Sequence, residues 1–253
     1  MTNVTRIYQT TTGGANPIQT GVAHQSRSNK YVHVDSLALA GRFYNLGFQE
    51  VGTSYGIPRK EHRQGFQKHI QLFTRDDLKI GDDYLQIALT NSHDGSTSVG
   101  LDMGIFRTVC ANGLFVGDKA FSFRFRHTGN VLDRVDQAVQ ILLDRAPQVA
   151  ADIAWMKEQR LNSMQIKELT RLTLLARLGH VPERYVVPTP KRLADDGTEL
   201  WKVFNTLQER AIKGGLSYAD TDQPWKRTRK ITNINRVIKL NKELWNAAKG
   251  LVA

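Results

Sequence analysis

The chain has 253 residues, of which 40% are hydrophobic, enough to bury a core and to exclude a wholly disordered protein. Its 35 Lys and Arg against 24 Asp and Glu give a formal charge of +11, which favours polyanionic partners, nucleic acid first among them. A single cysteine, Cys110, excludes an internal disulfide and a Cys-rich zinc site, and no run approaches the roughly 20 apolar residues that cross a bilayer.

Residues 1–30 are rich in Thr, Asn, Gln and Ser and lack the apolar segment of a secretory signal. Such composition predicts a flexible arm on a soluble cytoplasmic chain with no membrane partner. Next, Leu37, Ala40 and Tyr44 fall at helical spacing, and Gly47 stands where helices end, so Ser36 to Leu46 reads as a short helix. Apolar residues then alternate along Phe66–Phe73 and Leu85–Thr90, which reads as two strands. Asp76–Asp83 suits a hairpin loop between them, and Asp94-Gly95 marks a second reversal.

Leu101 to Val116 reads two ways. Leu101, Ile105 and Val109 fit a helix ending at Asn112-Gly113, whereas Phe106–Cys110 and Leu114–Val116 fit a hairpin; the helix is favoured. Phe121, Phe123 and Phe125 alternate with Ser122, Arg124 and Arg126 as a strand. The period becomes 3.6 near residue 130, predicting a long helix from Val131 to about Arg160 with a kink at Pro147. Helices follow over Ser163–Leu178, Thr198–Lys213 and Ile231–Lys249, each closed by glycine, with a Pro-rich connector at Val181–Asp196. The expected fold class is α+β: a small antiparallel sheet braced by a long helix, then a helical C-terminal region. Its expected parts are an arm (1–30), a core domain (31–160) and a basic helical region (161–253).

Lys226 to Lys249 carries eight cations and one anion, Glu243. Within it Lys226, Arg227, Arg229 and Lys230 precede a helix N-cap at Thr232 or Asn233, an arrangement suited to phosphate. If the phenylalanines of the 121–125 strand face the long helix, Arg124 and Arg126 line the other face and can track a nucleic-acid backbone, unless they pair with Asp82 or Asp83. Arg59, Lys60, Arg63 and Lys68 add charge upstream. Arg107 and His127 are secondary candidates, facing the groove or holding loops. His93 and Asp94 offer a base and its orienter, or metal ligands with His127, but neighbouring side chains on a turn seldom converge, so Asn91–Gly95 reads first as a turn whose side chains bond backbone. Cys110, between Val109 and Ala111, reads as a small buried residue rather than a nucleophile. No phosphate-loop or dinucleotide fingerprint occurs, so neither a nucleotide nor any other cofactor is expected.

Several ordered motifs carry a resemblance: Leu89–Ser96, Gly104–Leu114, Arg126–Gly129, Leu200-Trp201 through Gln208-Glu209 to Lys213–Gly215, and Thr228-Arg229 with Lys239–Trp245. In these the chain resembles the YafZ-like group of prophage- and plasmid-encoded proteins of unknown function. The resemblance implies a mobile-element context and brings no established activity or catalytic residues. By architecture alone, without shared motifs, a sheet braced by a long helix also resembles phage single-strand annealing recombinases of the Redβ and Erf type, which form rings or filaments around single-stranded DNA. The resulting expectation is a non-enzymatic, oligomeric protein that binds single-stranded DNA and promotes annealing without nucleotide hydrolysis. A metal-dependent nuclease using His93, Asp94 and His127, or a regulator binding a host factor, are the alternatives.

Overall fold

A computed structural model describes residues 8–11, 15–80, 83–107, 112–115 and 121–252. These fall into two compact units, one of residues 8–113 and 121–146, the other of 147–252 with Leu114 and Phe115. The division lies inside the long helix at Pro147, whereas the sequence places it at residue 160.

The first unit is built on a mainly antiparallel sheet. Its strands are β1 (Tyr8–Thr11), β2 (Gln49–Tyr55), β3 (His69–Ile80), β4 (Asp83–Asn91) and β5 (Val99–Arg107), in that order, with β7 (Ser122–Phe125) on β5, while β6 (Asn112–Phe115) straddles the division between the units. Only β1 on β2 is recorded as parallel among the paired strands described. Helix α1 (Ser36–Asn45) starts where the Asp35 side chain accepts the Leu37 N–H, and Phe43 stacks on Phe73 of β3 at 4.3 Å between ring centroids. Helix α2 (Val131–Glu158) runs through Pro147, and its first half buries Val135, Val139 and Leu142.

Three readings of the sequence are corrected. Leu101–Arg107 is strand, not helix: Leu101, Met103 and Ile105 are fully buried and lie opposite Leu89, Ile87 and Leu85 of β4. The i, i+4 pair Leu101–Ile105 belongs equally to a period of two, and Gly100 and Gly104 are poor helix formers. Strand β3 also runs on to Ile80 through most of the expected hairpin loop, with an irregularity in its pairing between Thr74 and Lys79. Residues 15–30, mostly exposed, are anchored at three buried residues, Pro17, Ile18 and His24: Asn16 caps the 3-10 turn of the first two, and the His24 N–H donates to the His93 carbonyl at 2.9 Å. Residues 1–7 and 12–14 of the expected arm, and Cys110, lie outside the described residues.

The second unit contains α3 (Ser163–Leu178), α4 (Leu200–Lys213), α5 (Ile234–Gly250) and a three-stranded antiparallel sheet of β8 (Arg184–Tyr185), β9 (Ser217–Ala219) and β10 (Lys226–Arg227) in the order β10-β9-β8. The helix limits follow the predicted caps closely. Asn162 and Gln165 form a capping box at the start of α3, Gly179 ends it in the left-handed region, and Asn233 caps α5. The three helices pack on Trp245, Phe204 and Leu174, and the Gln208 side-chain amide donates to Asn241 Oδ1 in their midst at 3.0 Å. Gly214 is required where α4 turns toward β9: its φ is +91°, and a Cβ there would stand 2.6 Å from the Thr228 carbonyl oxygen. Gly214→Ala is therefore expected to cost about 2–3 kcal/mol, read as a lower urea midpoint of the tryptophan fluorescence transition. All four tryptophans lie in this unit.

Candidate functional site

Six of the seven histidines belong to the first unit, and five segments bring them together. Ser36, the first residue of α1, is at the centre and fully buried. His69 Nδ1 faces the Gln67 carbonyl at 3.1 Å and must carry the proton there, so its Nε2 accepts the Ser36 hydroxyl at 2.6 Å. Asn91 Nδ2 donates to Ser36 Oγ and to the Val34 carbonyl, both at 2.9 Å, and His93 Nε2 lies 3.3 Å from the same hydroxyl. The His93 ring packs against His33 at 4.7 Å and His69 at 5.2 Å, and His24 packs against His62 at 5.5 Å. Burial drives His69 down to about 3, and burial with the neighbouring His33 drives His93 to about 4, against smaller opposing effects of the Pro17 carbonyl and Asp35. Neutral imidazoles at pH 7 follow.

The turn after β4 bonds its own backbone as expected: Asn91 Oδ1 accepts the Ser92 N–H and Asp94 Oδ1 the Ser96 N–H. Its histidine does more than that reading allows. His93 is fully buried, and its Nδ1, like His33 Nε2 and both ring nitrogens of His127, makes no well-formed hydrogen bond among the described residues. His127, 7% exposed, stacks on Tyr31 at 4.6 Å, and the Tyr31 hydroxyl donates to the Ser92 carbonyl at 3.0 Å. Burial lowers the His127 pKa as well. Of the two positions expected for it, this histidine takes the one among the loops rather than one facing a groove. Asp94 lies 3.6 Å from Arg63, and among the described residues no three His, Cys, Asp or Glu side chains are placed to share a metal ion.

Strand β7 holds the second candidate set. Arg124 Nη2 donates to both carboxylate oxygens of Asp102 at 2.9 and 2.7 Å, Nη1 donates to the Phe123 carbonyl at 2.7 Å, and Ser122 Oγ also donates to Asp102. Asp102 is fully buried. Arg124 is thus a counter-ion for a buried carboxylate, and its partner is Asp102 rather than Asp82 or Asp83. Lys68 is pushed down to about 8, mainly by burial and then by Arg124, with Asp102 opposing. Arg126 is exposed just beyond the strand, and Arg107 ends β5, its side chain lying outside the described residues.

In the second unit Lys226 and Arg227 form β10, with Arg229 and Lys230 following, and all four are exposed without an ion pair among the described residues. Arg227 Nε donates to Ser217 Oγ at 3.2 Å. Trp225 stands immediately before β10, at the head of the basic stretch, a place the sequence shows without assigning it a role. Its ring is 53% exposed, and the Arg184 guanidinium of β8 lies 5.6 Å from its centroid. Trp245, the other tryptophan of this basic stretch, is core at 1% exposure.

The motifs carrying the family resemblance meet at these places. Leu89–Ser96 and Arg126–Gly129 bring His93 and His127 into the histidine network, and Lys213–Gly215 abuts Thr228, whose Oγ1 accepts the Gly215 and Leu216 N–H groups. Comparison with known proteins agrees. Two curated proteins of Escherichia coli (strain K12), UPF0380 protein YafZ and UPF0380 protein YfjQ, are each 30% identical over 233 residues, covering 90% of this chain and 85% of theirs. No solved structure matches. Residues 23–245 match the family described as Domain of unknown function (DUF932), and the chain belongs to that family.

Proposed function

We propose that the chain binds single-stranded DNA through its second unit and, as a homo-oligomer, promotes annealing of complementary strands without hydrolysing a nucleotide. The observation that carries this reading is the half-exposed Trp225, backed by Arg184 and followed by the exposed cations Lys226, Arg227, Arg229 and Lys230. A base stacked on an aromatic ring contributes about 1–3 kcal/mol, and only an unpaired strand offers free base faces. The cations that follow the ring in the chain suit the phosphates that flank such a base. Neutralising them lowers the repulsion between two strands, which is what annealing requires and what needs no hydrolysis.

Binding of a labelled oligonucleotide is expected to weaken with salt. Each neutralised phosphate on a single strand contributes about −0.7 to the slope of log K against log [salt], so the four cations give about −3. The double variant Arg227→Glu, Arg229→Glu should flatten the slope by at least about 1.4. Trp225→Ala should weaken binding about tenfold while leaving the slope unchanged. Salt-independent binding, or wild-type behaviour of both variants, overturns the assignment. Annealing is checked by the joining rate of complementary strands, and assembly by the mass of the complex in solution.

A further inference from the structure

Beside the basic segment lies a cavity of about 220 Å³ between the end of α3 and the start of α5, whose wall includes Arg177, Gly179, Ile231, Arg236, Lys239 and Glu243. Arg177 is the buried member, 9% exposed, on the last turn of α3. Its Nε donates to the Ala211 carbonyl at 2.9 Å and its Nη2 to the Arg229 carbonyl at 2.7 Å, which fixes the guanidinium and ties it to the segment that carries Arg229 and Lys230. Two of its five N–H donors are occupied in this way, leaving others for a ligand. Arg236, in the first turn of α5, reaches the Arg177 carbonyl through Nη2 at 3.3 Å.

The charges on this wall do not balance. Three cations face one carboxylate, Glu243, which lies 3.6 Å from Lys239. No carboxylate is recorded against Arg177 or Arg236 among the described residues. Burial first, and then the positive charge of Arg236, depress the Arg177 pKa, with Tyr218 opposing. Two like charges on one cavity wall repel each other until an anion enters between them. The excess of two positive charges matches a dianionic phosphate monoester better than a singly charged backbone diester.

We propose that this cavity is a phosphate site, in which Arg177, Arg236 and Lys239 hold the terminal phosphate of the bound strand; the terminal source rests on the DNA-binding reading above. Terminal and free phosphate share this chemistry, and the experiment separates them. The full-length chain is titrated with inorganic phosphate, observed by broadening of its phosphorus resonance, and with oligonucleotides of one sequence bearing a 5′-phosphate, a 3′-phosphate or hydroxyls at both ends. Broadening is expected with wild type and should vanish in Arg236→Glu and in Lys239→Glu, two exposed positions. One of the phosphorylated oligonucleotides should bind about tenfold more tightly than the hydroxyl form, and both variants should erase the difference.

If the oligonucleotides bind but phosphate neither broadens nor raises affinity, the phosphate site is overturned and the DNA reading stands. Broadening that persists undiminished in both variants also overturns the site. If phosphate broadens and the variants abolish it while no oligonucleotide binds, the site stands as one for small phosphates, and the DNA reading falls.

Discussion

Lowering the pH from 7.5 to 5.5 is expected to destabilise the first unit by about 3 kcal/mol through His69 and His93 alone. Both are neutral in the fold, pushed down to about 3 and about 4 chiefly by burial, and both titrate near 6.5 once unfolded. The unfolded chain therefore binds more protons than the folded one below pH 6.5, so stability is complete above that value and declines as the pH falls. Each histidine contributes about 1.4 kcal/mol of loss by pH 5.5, and His127, shifted in the same direction, adds to it. Carboxylates held by arginines act in the same direction only nearer pH 4, so the interval from 7 to 5 isolates the histidines. Hydrogen exchange of β3 and β4 peptides, corrected for the intrinsic rate, reads the opening free energy directly. A slope of about 1.2 kcal/mol per pH unit for each histidine is expected near pH 5.5, falling by one histidine's worth in His69→Gln. Opening energies that stay level across this interval would show that the rings are already charged, or solvated, in the fold.

That network also marks the limit of what the residues disclose in order. Helix α3 was legible to the residue and α5 to within three, because their signals are local: the 3.6-residue rhythm, Gly179 after α3 and an N-cap at Asn233 each act within a few turns of the chain. Strands β4 and β7 were legible by alternation. Strand β2 was not, since Gln49–Tyr55 contains Val51 and Tyr55 as its only large apolar side chains and gains its place by pairing with β3. The histidine cluster escaped for a different reason. His69 and Gln71 alternate with Ile70 and Leu72 and look like a solvent face, yet both are 1% exposed. A central strand covered on both sides buries its polar residues too where distant segments offer them partners, as Ser36 does for His69 and Glu50 for Gln71. Contacts spanning 33 to 57 residues leave no periodic trace. The basic segment at Lys226–Lys230 could be read from composition, whereas Trp225 as a platform needed β8 to place Arg184 against it.

Arg124→Ala should lower the stability of the first unit by about 3 kcal/mol and leave the salt dependence of DNA binding untouched. The fully buried Asp102 is the reason: removing the guanidinium takes two hydrogen bonds and the countercharge from a carboxylate that water does not reach. The loss falls at the low end for a broken buried pair because Arg124 itself is 47% exposed and Ser122 keeps its bond to Asp102. Adding Asp102→Asn to the same chain removes the stranded charge and should recover part of the loss, a non-additivity that a surface arginine would not produce. Lys68 supplies an independent readout. Arg124 is among the causes that hold it near 8, so the arginine's removal should raise the Lys68 pKa, seen as slower acylation of that amine at pH 8. A phosphate ligand would behave in the opposite way on each count. Arg124→Ala would leave β7 as stable as before and would flatten the DNA salt slope by about 0.7, the value for one released phosphate contact. The two outcomes share no measurement in common agreement, so one variant decides whether the arginine of β7 serves the sheet or the strand of DNA.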